Sequence, residues 1–353
     1  MKEDNLIEDN QIENKDRNKK ATVDLVDKLK FVELHFHLDG SITPEIALRL
    51  SKIQDISLPT EDLGKLKELL EVPKDCQSLV EFLNHFEIPS KLLQTKIGIS
   101  ECVYYIQEEY KKNNGIYLEM RFAPQFHCFK GLTQKEVIEA ALEGLRKSDF
   151  HANLILCLMR FGDNKKANEE TIRLAKEFLV EDNGVVGVDI AGDELGNPIL
   201  NYKKEFELIQ KLGIPYTIHA GEADGAVSVE NSLDLGAKRI GHGFRAAESE
   251  KTLKRLVDND VLLELAPLSN FCTNSSSVEN YPFKTLLDSG VKMCINTDDM
   301  GIIGNTIQDD FKFLISHYDL TEEQVFSFLY NAIDGAFTSE ETKEYLRGLI
   351  DEI

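Results

Sequence analysis

Two histidines, His35 and His37, stand one residue apart in a short apolar run and carry the sharpest chemical signal in the sequence. Side chains two residues apart on a β-strand point to the same side, so both imidazoles would face one space. Side-by-side imidazoles suit a metal ion, because buried nitrogens without partners are costly. The pattern is short, and by itself it fits a pair of ordinary core or surface histidines equally well.

Two further donors, His219 and Asp298, end later apolar runs in the same way. Together with His35 and His37 they offer three nitrogens and one oxygen, a donor set that suits Zn²⁺ or a neighbouring divalent ion and leaves a position for water. Taken singly, His219 also fits a core histidine, and Asp298 with Asp299 also fits a turn. Four donors at the ends of runs that are far apart in the chain nevertheless predict one shared metal site.

His242 and Glu222 are the predicted proton-transfer groups of this site. His242 ends another run and is the candidate base that positions a water molecule activated by the metal. Its alternative role is that of a further metal ligand, although the donor set above is already complete. Glu222 follows His219 by three residues, and a carboxyl in a dry pocket keeps its proton and acts as a general acid. The alternative for Glu222 is a carboxylate that complements a helix dipole.

The run pattern indicates which elements must position these residues. A short β-branched or apolar run is followed each time by a helical segment, and eight such units occur. The runs cover residues 31–40, 116–124, 154–163, 185–194, 214–222, 238–244, 261–270 and 291–299. Eight alternating units predict an α/β fold, a (β/α)8 TIM barrel, whose strand ends converge on one face. A doubly wound open sheet is the rival fold, but it would not bring the first and eighth runs together.

Segments outside the eight units define the predicted domain organisation. Residues 1–20 are polar and lack aromatic side chains, which predicts a disordered tail before a single (β/α)8 domain over residues 21–353. The connection 41–114 is long and is predicted to be a helical insertion, and extra C-terminal helices are predicted after the eighth run. Within this insertion, four apolar residues follow one another at helical spacing: Leu79, Phe82, Leu83 and Phe86. Such a stripe fits either a face packed in the core or a lid over the site.

The composition limits the partners. The 353 residues include 40 Lys and Arg against 62 Asp and Glu, a net charge of −22, and so acidic a chain repels phosphate backbones and anionic lipid. We therefore expect no nucleic-acid and no membrane partner, and a neutral small molecule is the natural ligand; no protein partner is indicated. The six cysteines stand singly, without a C-x-x-C, which favours a reducing cytoplasmic compartment.

Six short motifs, in this order, resemble those of the adenosine deaminase family of metal-dependent amidohydrolases. The motifs are Glu33-Leu34-His35-Phe36-His37-Leu38-Asp39-Gly40-Ser41, Asp189-Ile190-Ala191-Gly192-Asp193-Glu194, His219-Ala220-Gly221-Glu222, Gly241-His242-Gly243, Pro267-Leu268-Ser269-Asn270 and Asn296-Thr297-Asp298-Asp299. Helical sequence on both sides is compatible with the family, so only the residues before about Val23 lie outside the resemblance.

The resemblance implies a zinc-dependent hydrolytic deaminase of purine salvage that converts adenosine and 2′-deoxyadenosine to inosine and deoxyinosine. It assigns one Zn²⁺ per chain to His35, His37, His219 and Asp298. Protonation of purine N1 is assigned to Glu222, and orientation of the attacking water to His242. Substrate binding is assigned to the Gly192 N–H at N3, to Asp299 at N7, and to Asp39 with His37 at the ribose 5′ end. The run 185–194 lacks the Lys that many two-metal barrel hydrolases carry, which also favours a single ion.

Two alternatives to this function are kept open. One is a deaminase of adenine or of an N6-substituted or phosphorylated 6-aminopurine. Adenine deaminases tend to have Glu where Asp39 stands, and a nucleotide would need a cationic cluster that the motifs do not contain. The other is a non-catalytic binder on the same barrel, which would be expected to have lost a metal ligand or the acid. Arg121 and Arg160 are expected to form buried ion pairs near the barrel mouth.

Overall fold

Eight parallel strands form the centre of the molecule, whose computed structural model describes residues 18–73, 84–273 and 275–353. The strands are β1 (Phe31–His37), β2 (Gly115–Phe122), β3 (Ala152–Arg160), β4 (Val185–Gly192), β5 (Ile218–Ala220), β6 (Arg239–His242), β7 (Leu262–Leu265) and β8 (Lys292–Ile295). Each overlaps one of the predicted runs. The predicted order of strands is therefore confirmed.

The strands close into a barrel through two half-sheets. Strands β1 to β4 form one continuous ladder and β5 to β8 form the other. A bridge between Val188 and Tyr216 joins β4 to the approach of β5, and a bridge between Phe36 and Asp298 joins β1 to the end of β8. The first and eighth strand ends consequently meet, as a closed barrel requires and an open sheet does not. The predicted fold class, a (β/α)8 barrel, is confirmed.

Helices alternate with the strands, and three of them begin at threonine residues that cap the helix. Within the described residues the helices are α1 (Val23–Val26), α2 (Pro44–Gln54), α3 (Leu63–Leu70), α4 (Glu87–Leu92), α5 (Lys96–Lys112), α6 (Gln134–Leu145), α7 (Lys165–Glu177), α8 (Lys203–Leu212), α9 (Ala226–Asp234), α10 (Glu250–Asp258), α11 (Pro267–Cys272), α12 (Phe283–Ser289), α13 (Met300–Ile303), α14 (Ile307–His317), α15 (Glu322–Gly335) and α16 (Glu340–Asp351). Thr43 caps α2, whose first residue is proline, and capping boxes start α6 at Thr133 and α15 at Thr321. In the described part of the chain, no helix has both the length and the apolar character needed to cross a membrane.

Helices α2 to α5 occupy the connection between β1 and β2, and α13 to α16 follow β8. In the connection, Phe86 packs against a small apolar cluster of Val72 and Ile302, apart from the main core. The other members of the predicted apolar stripe, Leu79, Phe82 and Leu83, lie outside the described residues. The two alternatives for this stripe, a core face or a lid over the site, therefore stay predictions.

The start of the described chain lies against helix α15. The Lys19 carbonyl accepts a hydrogen bond from the Glu322 amide at 3.0 Å, and Lys20 forms an antiparallel bridge with Thr321. These contacts attach the end of the predicted tail to the barrel domain. Residues 1–17 lie outside the described part, so the division into a tail over 1–20 and a domain over 21–353 stays a prediction.

A network of buried charges fills part of the barrel interior. Arg239 contacts Glu119 (Nη1–Oε2) and Glu264 (Nε–Oε1), both at 2.6 Å. Arg121 contacts Glu264 at 2.8 Å and Asp189 at 2.9 Å, which confirms the ion pair predicted for it. Desolvating charges is expensive, so such a network persists only when each charge is matched by a partner. These pairs hold Glu264 and Asp189 immediately behind the predicted metal ligands.

Candidate active site

Three donor atoms meet where β1 and β8 adjoin. His35 Nε2 lies 3.1 Å from Asp298 Oδ1, and His37 Nε2 lies 3.3 Å from the same oxygen. Asp298 has a left-handed backbone with φ of 67°, and it exchanges backbone hydrogen bonds with His35 and His37. A left-handed conformation costs a non-glycine residue about 1–2 kcal/mol, which these backbone bonds offset. The strained turn after β8 thus directs the carboxylate toward both imidazoles.

Carboxylates behind two of the histidines determine which ring nitrogens face the site. Glu264 Oε2 lies 2.9 Å from His35 Nδ1, and Asp189 Oδ2 lies 2.8 Å from His219 Nδ1. Burial raises the pKa of both carboxyls, yet the adjoining positive charges, Arg121 among them, hold it well below its ordinary value. Ionised carboxylates at Nδ1 keep the ring protons there. The Nε2 lone pairs of His35 and His219 therefore point into the space between β1, β5 and β8.

The converging donors fit a divalent cation. Ligands about 2.0–2.1 Å from a tetrahedral ion lie about 3.3 Å from one another. The separations of 3.1 and 3.3 Å from Asp298 to the β1 histidines, and of 3.2 Å from His37 Nε2 to His219 Nε2, agree with that geometry. His35 Nε2 has no hydrogen-bond partner among the described residues, although it is buried against a carboxylate. Burial lowers the pKa of His219 to about 4, which keeps this imidazole neutral and able to bind a metal.

His242, at the end of β6, also reaches this space. Ligand atoms of His35, His219, His242 and Asp298 all lie within 4.8 Å of one another. The contact of His242 Nε2 with Asp298 is longer than those of the β1 histidines, at 4.0 Å, and is made to Oδ2 rather than Oδ1. The predicted ligand set with His37 and a set with His242 therefore both include Asp298, and His37 is the nearer of the two histidines to its carboxylate.

Hydrogen bonds behind His242 favour a proton on the nitrogen that faces the site. The side-chain amide of Asn270 lies 3.1 Å from His242 Nδ1, and Tyr281 Oη donates to Asn270 Oδ1 at 3.5 Å. With its oxygen occupied, Asn270 presents N–H to Nδ1, and the ring proton then lies on Nε2. A protonated Nε2 is suited to hydrogen bonding rather than to metal binding.

Glu222 lies next to His242 in the loop that follows β5. Its Oε2 is 3.5 Å from His242 Nε2, and 24% of its side chain is exposed. The Thr273 and Ser275 hydroxyls lie 3.4 Å from Oε1. Burial raises the pKa of Glu222 above its ordinary value, although the charge of His242 opposes the shift. A carboxyl with a raised pKa retains its proton nearer to neutral pH, as a general acid requires.

The four residues predicted to bind substrate, His37, Asp39, Gly192 and Asp299, lie at the ends of β1, β4 and β8 or within four residues after them. Gly192 ends β4 with φ of 105°, a conformation that L side chains rarely adopt. Asp299 is 7% exposed, its Oδ1 has no hydrogen-bond partner among the described residues, and a Cβ on Gly40 would lie only 1.6 Å from that oxygen. Burial, and then the charges of Asp298, Asp39 and Glu222, raise the pKa of Asp299 well above its ordinary value. The raised pKa favours the protonated form of Asp299, and the absence of a side chain at Gly40 leaves room for this carboxyl.

Several residues that act on this site were given no role from the sequence. Ser269 Oγ donates to Asp298 Oδ2 at 2.7 Å, and Asn270 contacts His242. Both lie in α11, which begins two residues after β7, and their place at the end of the run 261–270 was the available signal. Glu264 had no such signal, because it lies inside β7 and acts on His35 from behind.

Glu264→Gln is expected to weaken both metal binding and the fold. The substitution leaves Arg121 and Arg239 with an uncharged partner, and breaking a buried ion pair lowers the free energy of unfolding by about 3–5 kcal/mol. It also removes the carboxylate that holds the His35 proton, a loss that weakens metal binding about 10–100-fold. Urea unfolding and chelator competition measure the two effects separately.

Glu119→Gln is the matched control for this change. Glu119 pairs with Arg239 at 2.6 Å and accepts from Tyr117 Oη at 3.0 Å, contacts that do not involve His35. This variant should lose stability and keep its metal affinity. Wild-type metal affinity in Glu264→Gln would show that His35 does not depend on this carboxylate.

Comparison with known proteins agrees with the geometry. The family model described as adenosine deaminase matches residues 31–353. An adenosine deaminase from Haemophilus ducreyi is 40% identical over 328 residues, which cover 91% of this chain and 95% of that protein. An adenosine deaminase from Enterococcus faecalis is 36% identical over 332 residues, 93% of this chain and 97% of that protein.

Solved structures show the same fold. An adenine deaminase from Arthrobacter aurescens superimposes with a TM-score of 0.82 at 26% identity, covering 92% of this chain and 99% of that one. An amidohydrolase from Burkholderia ambifaria with bound Zn has a TM-score of 0.81 at 20% identity, covering 94% of this chain and 92% of that one. Motif order, barrel and family match agree: this chain belongs to the adenosine deaminase family, and it is a metal-dependent hydrolytic deaminase with a small purine substrate.

Proposed function

We propose that the chain hydrolyses adenosine and 2′-deoxyadenosine to inosine and deoxyinosine with release of ammonia, using one Zn²⁺ held by His35, His37, His219 and Asp298. The observation that carries the proposal is the convergence of four donor atoms, with Glu222 and His242 beside them. The His35–Asp298, His37–Asp298 and His37–His219 separations are 3.1, 3.3 and 3.2 Å. The similarity to adenosine deaminases over more than nine-tenths of the chain supports the choice of reaction.

Three imidazole nitrogens and one carboxylate oxygen suit zinc better than the hard cations Ca²⁺ and Mg²⁺, which prefer oxygen ligands. A zinc ion in such a site supplies Lewis acidity that makes a water molecule nucleophilic near neutral pH. Glu264 and Asp189 keep two of the imidazoles in the ligating tautomer, and Arg121 neutralises both carboxylates.

Glu222 and His242 divide the proton transfers. The Glu222 carboxyl donates its proton to N1 of the purine, which makes C6 electron-poor. His242 holds the attacking water through Nε2, the nitrogen that faces Glu222 at 3.5 Å. Water adds at C6 and gives up a proton, and the C6 amino group takes this proton. The C6–N bond then breaks to release ammonia, and the proton of the new C6 hydroxyl returns to Glu222, which leaves inosine with its proton on N1. Each proton transfer of this kind contributes about 10²–10⁴-fold to the rate.

The substrate is oriented by groups at three edges of the purine nucleoside. The Gly192 N–H is assigned to N3, and the positive φ of this residue lets the backbone approach the ring without a side chain in between. Asp299 is assigned to N7, and its raised pKa favours a carboxyl that keeps a proton to donate there. Asp39, in the turn after β1, meets the ribose 5′-hydroxyl together with His37.

The choice of adenosine over its relatives rests on the charges near the sugar end. Asp39 is acidic and partly buried, and a 5′-phosphate brought toward it would lose water without gaining a cationic partner. A free base would leave Asp39 without its hydroxyl partner. In the cell this activity would serve purine salvage, in a reducing cytoplasmic compartment that the lack of any C-x-x-C motif favours.

A substrate panel tests the proposal directly. Loss of the adenine absorbance band gives kcat/KM for adenosine, deoxyadenosine, adenine, AMP and N6-methyl-AMP. We expect adenosine and deoxyadenosine to exceed the others by about 10²-fold or more, because a site built to hydrogen-bond one group strongly rejects analogues that lack it or replace it. A preference for adenine or for a nucleotide would overturn the assignment of the nucleoside. Absence of turnover together with about one zinc per chain would favour a non-catalytic binder.

A further inference from the structure

Five donors converge on one buried carboxylate, that of Glu194, in the loop after β4. Glu194 Oε1 accepts from the Gly221 amide at 2.6 Å and from the Ser228 hydroxyl at 2.5 Å. Its Oε2 accepts from the amides of residues 222, 223 and 224 at 3.1, 2.8 and 3.0 Å. The residue is 5% exposed. Four successive amides thus point at a single anion.

The segment that these bonds hold is the one that carries the proposed acid. It connects His219, at the end of β5, to α9, and Gly221 begins it with φ of 72°. The guanidinium of Arg160 donates to the carbonyl of His219 rather than making the ion pair predicted for it. Arg160 therefore holds a carbonyl at one end of the segment, and Glu194 holds the amides that follow.

The side chain of Glu222 has weaker contacts of its own. The Thr273 and Ser275 hydroxyls reach it at 3.4 Å and His242 at 3.5 Å, all longer than the bonds on Glu194. The position of the Glu222 carboxyl therefore depends mainly on its backbone. We propose that Glu194 is a positioning residue, which places the acid of the reaction by binding the backbone of residues 221–224. The inference rests on the role proposed above for Glu222.

A glutamine at this position cannot reproduce the arrangement. The two carboxylate oxygens accept five hydrogen bonds, whereas a carboxamide has one oxygen and one NH2 group. Whichever way the amide turns, its NH2 would face either two or three donors, and those donors would lose their acceptor. Glu194→Gln keeps the size of the side chain and still releases part of the segment.

A double-mutant cycle tests whether Glu194 acts through Glu222. Glu194→Gln alone should lower kcat for adenosine about 10²-fold, the loss expected from misplacing a catalytic group by about 1 Å. Zinc content and the Kd for inosine, measured by equilibrium binding, should stay within about threefold, because the ligands and substrate groups are unchanged. In the Glu222→Gln background the same substitution should cost less than about twofold, since no acid is left to position. An equal fold-loss in both backgrounds would overturn the proposal.

Amide hydrogen exchange of the zinc-loaded protein gives a readout that does not depend on activity. Exchange of residues 221–224 should be faster in Glu194→Gln than in the wild type. The matched control is Asp182→Asn, because Asp182 likewise accepts bonds from the Ser339 amide at 3.3 Å and the Thr342 hydroxyl at 3.1 Å, at the start of α16. It should change exchange near α16 and leave kcat unaltered.

The outcomes separate this inference from the proposed function. If the wild type does not deaminate adenosine, the proposed function fails, and the exchange measurement still decides whether Glu194 holds the segment. Normal turnover in Glu222→Gln would refute both the acid role of Glu222 and the positioning role of Glu194. Unchanged exchange in Glu194→Gln would refute the inference while leaving the deaminase assignment intact.

Discussion

The Glu222→Gln variant is expected to retain zinc and to lose about 10²–10⁴-fold in kcat for adenosine, the contribution of one general acid. A carboxamide has the same shape as the carboxyl and cannot deliver a proton to N1. Glu222 lies beside the donor cluster without belonging to it, since its nearest charged contact is His242 at 3.5 Å. Metal analysis and the absorbance assay on the same preparation measure both properties.

The control for this prediction is Glu207→Gln, on α8. Glu207 is 61% exposed and has a long contact of 4.0 Å with Lys203, so its charge contributes little. Its kcat should equal that of the wild type. Near-normal turnover in Glu222→Gln would refute the acid role, and loss of zinc from that variant would mean that Glu222 is a ligand.

The Asp298→Ala variant should lose zinc and activity together. The carboxylate supplies the oxygen that His35 and His37 face at 3.1 and 3.3 Å, and it is the one anion among the proposed ligands. Alanine is also unfavourable at φ of 67°, so Asp298→Asn is the better-tolerated companion, because asparagine adopts the left-handed region more readily. Zinc per chain, far-UV circular dichroism and kcat distinguish loss of metal from loss of fold. An active variant that keeps its zinc would show that the ligand set is wrong.

Neighbouring substitutions identify the fourth ligand. Asp299→Ala should keep zinc and raise KM, because Asp299 is assigned to the purine rather than to the metal. His37→Ala should lose zinc, whereas His242→Ala should keep it and lose turnover. If His242→Ala lost zinc and His37→Ala kept it, His242 would be the ligand and His37 would not. The cluster of His35, His219, His242 and Asp298 is compatible with that outcome.

The barrel and the meeting of the proposed ligands were predictable because the relevant signals are local. Each strand is a short apolar run that ends in a polar residue, and a closed parallel barrel must bring those ends to one face. His35, His219 and Asp298 could therefore be assigned to one site although up to 263 positions separate them, the difference between 35 and 298. The starts of three helices were equally predictable, because Thr43, Thr133 and Thr321 are typical capping residues.

The supporting groups were not predictable, because their roles depend on contacts across the barrel. Glu264 lies in the interior of β7, where nothing in the sequence shows that it touches His35 and two arginines. The left-handed backbone of Asp298 and His242 is likewise a tertiary effect, since neither residue favours it strongly. Arg160 was expected to meet a carboxylate and instead binds a carbonyl, a choice that sequence spacing does not encode.

The two half-sheets have a consequence for how the protein unfolds. Where β8 adjoins β1, the bridge between Phe36 and Asp298 is supplemented by a side chain: Asn296 Oδ1 accepts from the amides of Leu34 and His35 at 2.9 and 3.0 Å. The proposed ligands are shared between the halves, with His35 and His37 on β1, His219 on β5 and Asp298 after β8. An ion bound by all four cross-links the halves at their seams. The cation would then stabilise the closed barrel. Removing it with a chelator would weaken the contacts between the two half-sheets and make thermal unfolding less cooperative.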